Sequence, residues 1–200
     1  MIHEIFFDPK DSLSAKMLNL FNMLYLLDAS VLVGGIIFYG LTPRKRIKIS
    51  NDQVHFQYNG KIIECIEMGE LKDCAISQST LEEFSNVASQ KDKIAKSLSE
   101  WMLRVKNNDK GILYLIYVPK EEREKYYGFF PEEDISLRDK DFTATLISTK
   151  IPRGVSNDNH MYRMQNRAVE LHRENNRCPK YEPLSIITSK DYCQIHGLKV

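Results

Sequence analysis

The sequence predicts an α+β fold: an antiparallel β-meander built around one hairpin, packed by one long helix and one or two shorter ones. Three stretches carry that expectation. Asn59-Gly60 lies between two strand-like runs, a capped helical pattern extends from Ser79 to about Lys106, and residues 112–118 read ILYLIYV. The 200 residues are read as a single α+β domain spanning 1–200, because no repeat, Pro-rich linker or low-complexity tract divides them.

The elements follow in chain order. Residues 2–7 are short and apolar enough for a strand, and Asp8-Pro9-Lys10-Asp11 is a turn. Ser12 or Ser14 can cap a helix running to about Leu27. Residues 31–39 read as a buried strand closed by Gly40 and Pro43. Residues 46–50 are strand-like, with Asn51-Asp52 as a turn. Asn59-Gly60 then predicts a type I′ turn, which needs positive φ at both central residues. A two-residue loop would pair Tyr58 with Lys61, Phe56 with Ile63 and Val54 with Cys65, putting the apolar set on one face.

Ser79 and Glu82 fit a capping box opening the long helix. Leu81, Phe84, Ala88, Ala95, Leu98, Met102 and Val105 recur at spacings near three and four, and Trp101 beside them suits a core. The run 112–118 suits a central strand. A short helix is expected near 121–127 and a further strand at 142–149, FTATLIST. Ser156 can cap a helix from about Asn159 to Asn175, and residues 184–188 are strand-like.

One stretch qualifies the expectation of a cytoplasmic protein. Residues 23–41, MLYLLDASVLVGGIIFYGL, approach the length of a membrane span, and Arg44, Lys45, Arg46 and Lys48 follow. A span there would anchor the chain with its C-terminal part cytoplasmic. Asp28 and the pair Gly34-Gly35 argue instead for a buried helix followed by a buried strand. The first residues have no positive n-region, so a cleaved signal peptide is not expected. Four cysteines are too few for a disulfide scaffold, which fits a reducing compartment.

Composition excludes several functions. A net charge of +1 gives no global attraction to nucleic acid or an acidic membrane, so any such surface is local. The sequence has no phosphate-binding P-loop, no G-x-G-x-x-G, no H-E-x-x-H and no G-x-S-x-G. Three constellations remain. His172, Cys178, Cys193 and His196 supply two thiols and two imidazoles suited to tetrahedral zinc, although their spacing follows no finger pattern. Without that site no cofactor is expected. The acids Glu132, Glu133, Asp134, Asp139 and Asp141, with Lys150, resemble the raw material of a metal-dependent nuclease. Of these, Asp139, Asp141 and Lys150 are the catalytic candidates, but no partner acid is visible on the expected strand 142–149. Arg163, Arg167, Arg173 and Arg177 form a basic stripe able to hold phosphates, offset by Glu170 and Glu174.

With no catalytic signature complete, the first functional expectation is a non-enzymatic module that binds a protein partner. A toxin-neutralising or host–pathogen accessory protein is one concrete form. The alternatives are a metal-dependent hydrolase acting on nucleic acid and a single-pass membrane-anchored protein with a cytoplasmic sheet domain.

Overall fold

A computed structural model describes residues 1–8, 14–41, 54–89, 92–130, 135–175 and 184–200. Its centre is a parallel sheet of six strands: β1 (Ile2–Phe6), β2 (Tyr25–Leu27), β3 (Cys74–Ser77), β4 (Leu113–Tyr117), β5 (Arg153–Val155) and β6 (Ser185–Ile187). The strand order is β1-β4-β3-β2-β5-β6, and every pairing is parallel. This α/β architecture corrects the expected α+β meander. Parallel neighbours need crossovers, so helices must lie between the strands in the chain.

Those helices are α1 (Ala15–Met23), α2 (Ala29–Leu41), α3 (Val54–Met68), α4 (Gln78–Ser89), α5 (Asp92–Asn107), α6 (Lys120–Glu124), α7 (Leu137–Thr149), α8 (Asn159–Asn175) and α9 (Ser189–Ile195). The sheet divides two cores. Leu27, Ile76, Leu115 and Val155 face residues of α2, α3, α5 and α9. Leu26, Ala75, Ile116 and Ile186 face residues of α1, α7 and α8. Burial on both faces explains why β4 is apolar almost throughout. Trp101 belongs to the first core and is fully buried, its indole N–H donating to the Ile63 carbonyl at 3.4 Å.

Three stretches expected to be strands are helices, each for a physical reason. The expected hairpin at Asn59-Gly60 is the middle of α3. Asn59, Ile62, Ile63 and Ile66 are buried at helical spacing, which overrides the alternation of Val54, Phe56 and Tyr58. Gly60 serves close approach and not a turn: a Cβ there would lie 2.5 Å from Cδ1 of Phe38 on α2. Residues 31–39 lie in α2, a helix apolar all round because α3 covers it. A Cβ on Gly35 would stand 2.5 Å from Cγ1 of Ile63 and 2.7 Å from the Asn59 carbonyl oxygen. Residues 142–149 lie in α7, opened by a capping box between Ser136 and Asp139. The buried hydroxyls of Thr143, Thr145 and Thr149 donate one turn back, to the carbonyls of Asp139, Asp141 and Thr145, at 3.0, 2.8 and 2.7 Å. That lets β-branched threonines sit inside a helix.

The long helix is described as α4 and α5, and the cap of α4 is Ser77, whose hydroxyl accepts from the Thr80 amide at 3.1 Å. The stretch 23–41 holds the end of α1, β2 and the thirteen residues of α2. Among the described residues no helix is long and apolar enough to cross a membrane. The expected strand at 46–50 and the turn at Asn51-Asp52 lie outside the described residues.

Candidate functional site

The chain reverses its direction of travel across the sheet beside β2. From β2 the strands proceed to β3 and β4 on one side, and the crossover through α7 returns to place β5 on the other. In an open parallel sheet such a reversal splays the connections at the carboxyl ends of the two strands and leaves a crevice. Asp28 is the first residue after β2, and Ser156-Asn157-Asp158 follows β5 directly.

The crevice is bound together by polar contacts. The Asp28 amide donates to the Val155 carbonyl at 3.0 Å, continuing the ladder one step past the strands. Oδ2 of Asp28 accepts from the Ser30 hydroxyl at 2.6 Å, the Ser156 hydroxyl at 2.8 Å and the Ser30 amide at 3.3 Å. The Ser156 oxygen in turn accepts from the Asp158 amide at 3.0 Å. Asn157 is clamped as well: its side-chain N–H donates to Oδ1 of Asn59 at 2.8 Å, and its own Oδ1 accepts from the Ser189 amide and hydroxyl at 3.2 and 3.0 Å.

Two more carboxylates come from helices. Asp139 is in the first turn of α7, where its carboxylate accepts from the Ser136 amide at 3.3 Å. Glu83 is on α4, with Oε1 3.5 Å from Nη1 of Arg138. His160 begins α8, with Nδ1 3.4 Å from Oδ2 of Asp139 and 3.7 Å from Oδ1 of Asp158. Asp139, Asp158 and His160 can each present one ligand atom with all three atoms within 4.8 Å of one another.

Burial pushes the Asp28 carboxyl above its ordinary value, although the Ser30 and Ser156 hydroxyls and the Ala29 and Ser30 amides favour its ionised form. Glu83 is raised first by burial, then by the negative charge of Asp28; Arg138 opposes this, and Asp139 adds to it. The negative charges of Asp28 and Asp139 both bear on Glu83. Carboxylates in this situation either take protons or gain a cation. Oxygen donors with one imidazole suit a divalent ion of the Mg²⁺ or Mn²⁺ kind, the nitrogen tilting the set toward Mn²⁺.

The residues nominated from sequence are distributed unevenly. Asp139 is in the crevice. Asp141, two positions on, is ion-paired with Arg123 and accepts from the Tyr127 hydroxyl. Lys150 is the left-handed C-cap of α7, φ 62°, about 17 Å along the helix from Asp139. Glu132, Glu133 and Asp134 lie outside the described residues. Of the zinc set, His172 is buried in α8, among the residues facing α1 and α7, whereas Cys193 is in the opposite core. His196 packs on the rings of Tyr25 and Tyr192 and reaches Asp73 at 3.3 Å. The sheet thus separates His172 from Cys193; Cys178 lies outside the described residues. On α8, Arg167 pairs with Glu170 at 2.8 Å and lies over the Phe129 ring, Arg163 is one turn earlier, and Arg173 is in the last turn. Arg177 lies outside the described residues.

Sequence reasoning missed Asp28, Glu83, Asp158 and His160. The available signal was placement for Asp28 alone, where Asp-x-Ser at 28–30 follows an apolar run directly; Ser156-Asn157-Asp158 follows Ile-Pro-Arg-Gly-Val and carried no such signal. No protein-family model matches this chain, and neither does any curated protein.

Proposed function

We propose that this protein is a metal-dependent hydrolase that cleaves phosphodiester bonds in nucleic acid, with Asp28, Glu83, Asp139, Asp158 and His160 as its site. One observation carries the reading: two carboxylates and an imidazole, from Asp139, Asp158 and His160, come to ligand spacing beside the reversal in strand order at β2 and β5. The expectation of a non-enzymatic binding module was a default drawn from missing catalytic motifs, and this cluster of donor atoms favours the hydrolase alternative over it.

The residues divide the work. Asp139, Asp158 and His160 would hold a divalent cation, and Asp28 and Glu83 would add negative charge beside it. The chemistry such an ion would supply is activation of water and neutralisation of phosphoryl charge. In the hydrolysis, water oxygen bonds to phosphorus, the bond to the leaving oxygen breaks, and the water proton passes by way of a carboxylate or solvent to that oxygen. The Ser30 and Ser156 hydroxyls keep the Asp28 carboxylate in one orientation. Arginines on α8, which starts at the site, supply cationic contacts along a polyanion.

The test is cleavage of end-labelled RNA and DNA with Mg²⁺ or Mn²⁺. Asp158→Asn and Glu83→Gln should each lower the rate by about 100-fold while the chain stays folded. Absence of cleavage with either ion, or parental rates in both variants, would overturn the reading.

A further inference from the structure

We infer that a cavity adjoining the carboxylates is a nucleobase subsite, which takes the base next to the phosphate being cleaved. The inference rests on the nuclease reading and adds a position for the substrate to it. The cavity measures about 510 Å³ and is lined by the starts of α2, α3 and α8. Ser30, Asp158 and His160 line it on one side, so it opens directly from the crevice where a phosphate would sit.

Two of its lining residues are aromatic. The rings of His55 and Phe56 lie with centroids 4.3 Å apart and planes at 47°. Phe56 is seated in space that Gly34 leaves open: a Cβ on Gly34 would stand 2.8 Å from Cδ1 and 2.9 Å from Cε1 of that ring. Val33 and Ile37, one turn apart on α2, extend the apolar surface.

The chemistry of this enclosure matches a base better than a purely apolar guest. An aromatic wall stacks on any base through its π-face. Polar groups at the other end meet the base edge: the Asn159 amide can donate and accept, and His160 keeps Nε2 for hydrogen bonding because Nδ1 faces the carboxylates. Asn157 lines the cavity too, but its hydrogen bonds to Asn59 and Ser189 make it a rigid wall. The volume falls within the range of ordinary small-ligand pockets, about 300–1,000 Å³. A base in the cavity is joined through its sugar to a phosphate at the carboxylates, so one nucleotide spans both.

Two measurements test this separately from hydrolysis. First, binding of a fluorescent single-stranded oligonucleotide is measured by anisotropy in EDTA and in Ca²⁺, against the same backbone with abasic sugars. The parent should prefer the base-bearing strand by about fivefold or more. His55→Ala and Phe56→Leu should remove most of that preference while their thermal midpoints remain near the parental one. Equal binding of the two strands by the parent, or full preference in both variants, overturns the subsite. Second, cleavage of a randomised strand is mapped. The parent should show a base preference at one position flanking the cut, flattened in the variants, with KM raised about tenfold and kcat affected less. Cleavage indifferent to that base leaves the nuclease reading and removes the subsite. Base-dependent binding lost in the variants, without metal-dependent cleavage, keeps the subsite and removes the nuclease reading. No binding and no cleavage removes both.

Discussion

The Ser156 hydroxyl donates to the Asp28 carboxylate at 2.8 Å across 128 positions of sequence. That contact joins the residue that follows β2 to the residue that follows β5, on the two sides of the reversal in strand order. It holds one carboxylate oxygen in a water-poor position where ionisation is costly without a cation.

Asp28→Asn should therefore trade binding for stability. The Asp28 carboxyl is raised in the folded protein by burial, so its ionised form opposes folding. The contribution of this one group to stability is greatest below its ordinary value of 3.8 and is lost as pH rises through the folded value. An asparagine cannot ionise. In EDTA at pH 8 the variant should melt higher than the parent, and the gain should vanish near pH 3. Mn²⁺ should raise the parental midpoint at pH 8 and raise that of the variant less. Thermal denaturation at both pH values, with and without the ion, checks each part.

Asp139 and Asp141, two residues apart, should separate function from stability. Asp141→Asn leaves Arg123, which is buried, without its ion-pair partner. Removing one side of a buried pair costs about 3–5 kcal/mol. Asp139→Asn weakens a capping box at a cost of about 1 kcal/mol. Urea unfolding should rank Asp141→Asn as far more damaging, and Mn²⁺ titration should show the larger loss of affinity in Asp139→Asn.

Gly35→Ala should destabilise the protein even though alanine favours a helix by about 1 kcal/mol over glycine. The new Cβ would meet the Asn59 carbonyl oxygen at 2.7 Å, and backbone cannot swing aside as a side chain can. Overpacking of this kind costs about 1–3 kcal/mol, so the net change should be a loss. A lower urea midpoint with an unchanged slope would confirm it; a raised midpoint would show that α2 and α3 sit farther apart.

His172 should impose an acid limit on stability. Burial pushes its pKa from 6.5 down to about 4, against the raising effect of its backbone contacts at Lys150 and Ile151. The unfolded chain binds the proton first, so the contribution is whole above pH 6.5 and is lost as pH falls to about 4. The loss is about 3 kcal/mol over that window. Between pH 7 and 4, His172→Leu should show a shallower fall in unfolding free energy than the parent. Parallel curves would mean that His172 is solvated.

Much of the local structure was legible, and it was legible where neighbours in sequence suffice. Strands β1 and β4 lie within the expected 2–7 and 112–118, Ser14 caps α1 by accepting from the Met17 amide, and α8 spans Asn159–Asn175. Short apolar runs, β-branched threonines and Asn-Gly were read as strand signals at 31–39, 142–149 and 59–60, and all three lie in helices. Such runs suit either period when both sides are covered. Asp139 could be nominated because an acidic stretch shows in one dimension, whereas Asp28 looked only like an interruption in an apolar run.

By itself the sequence determined the segments whose ends carry their own hydrogen-bonding groups and whose cores are apolar: capped helices and a buried central strand. Tertiary structure alone decided the parallel order of the strands, the close contact of α2 with α3 and the meeting of Asp28, Glu83, Asp139 and Asp158. The physical reason is distance along the chain. A helix cap acts within four residues, but the crevice exists only when the crossover through α7 sets β5 beside β2, bringing Asp28 and Ser156, 128 positions apart, into hydrogen-bond contact.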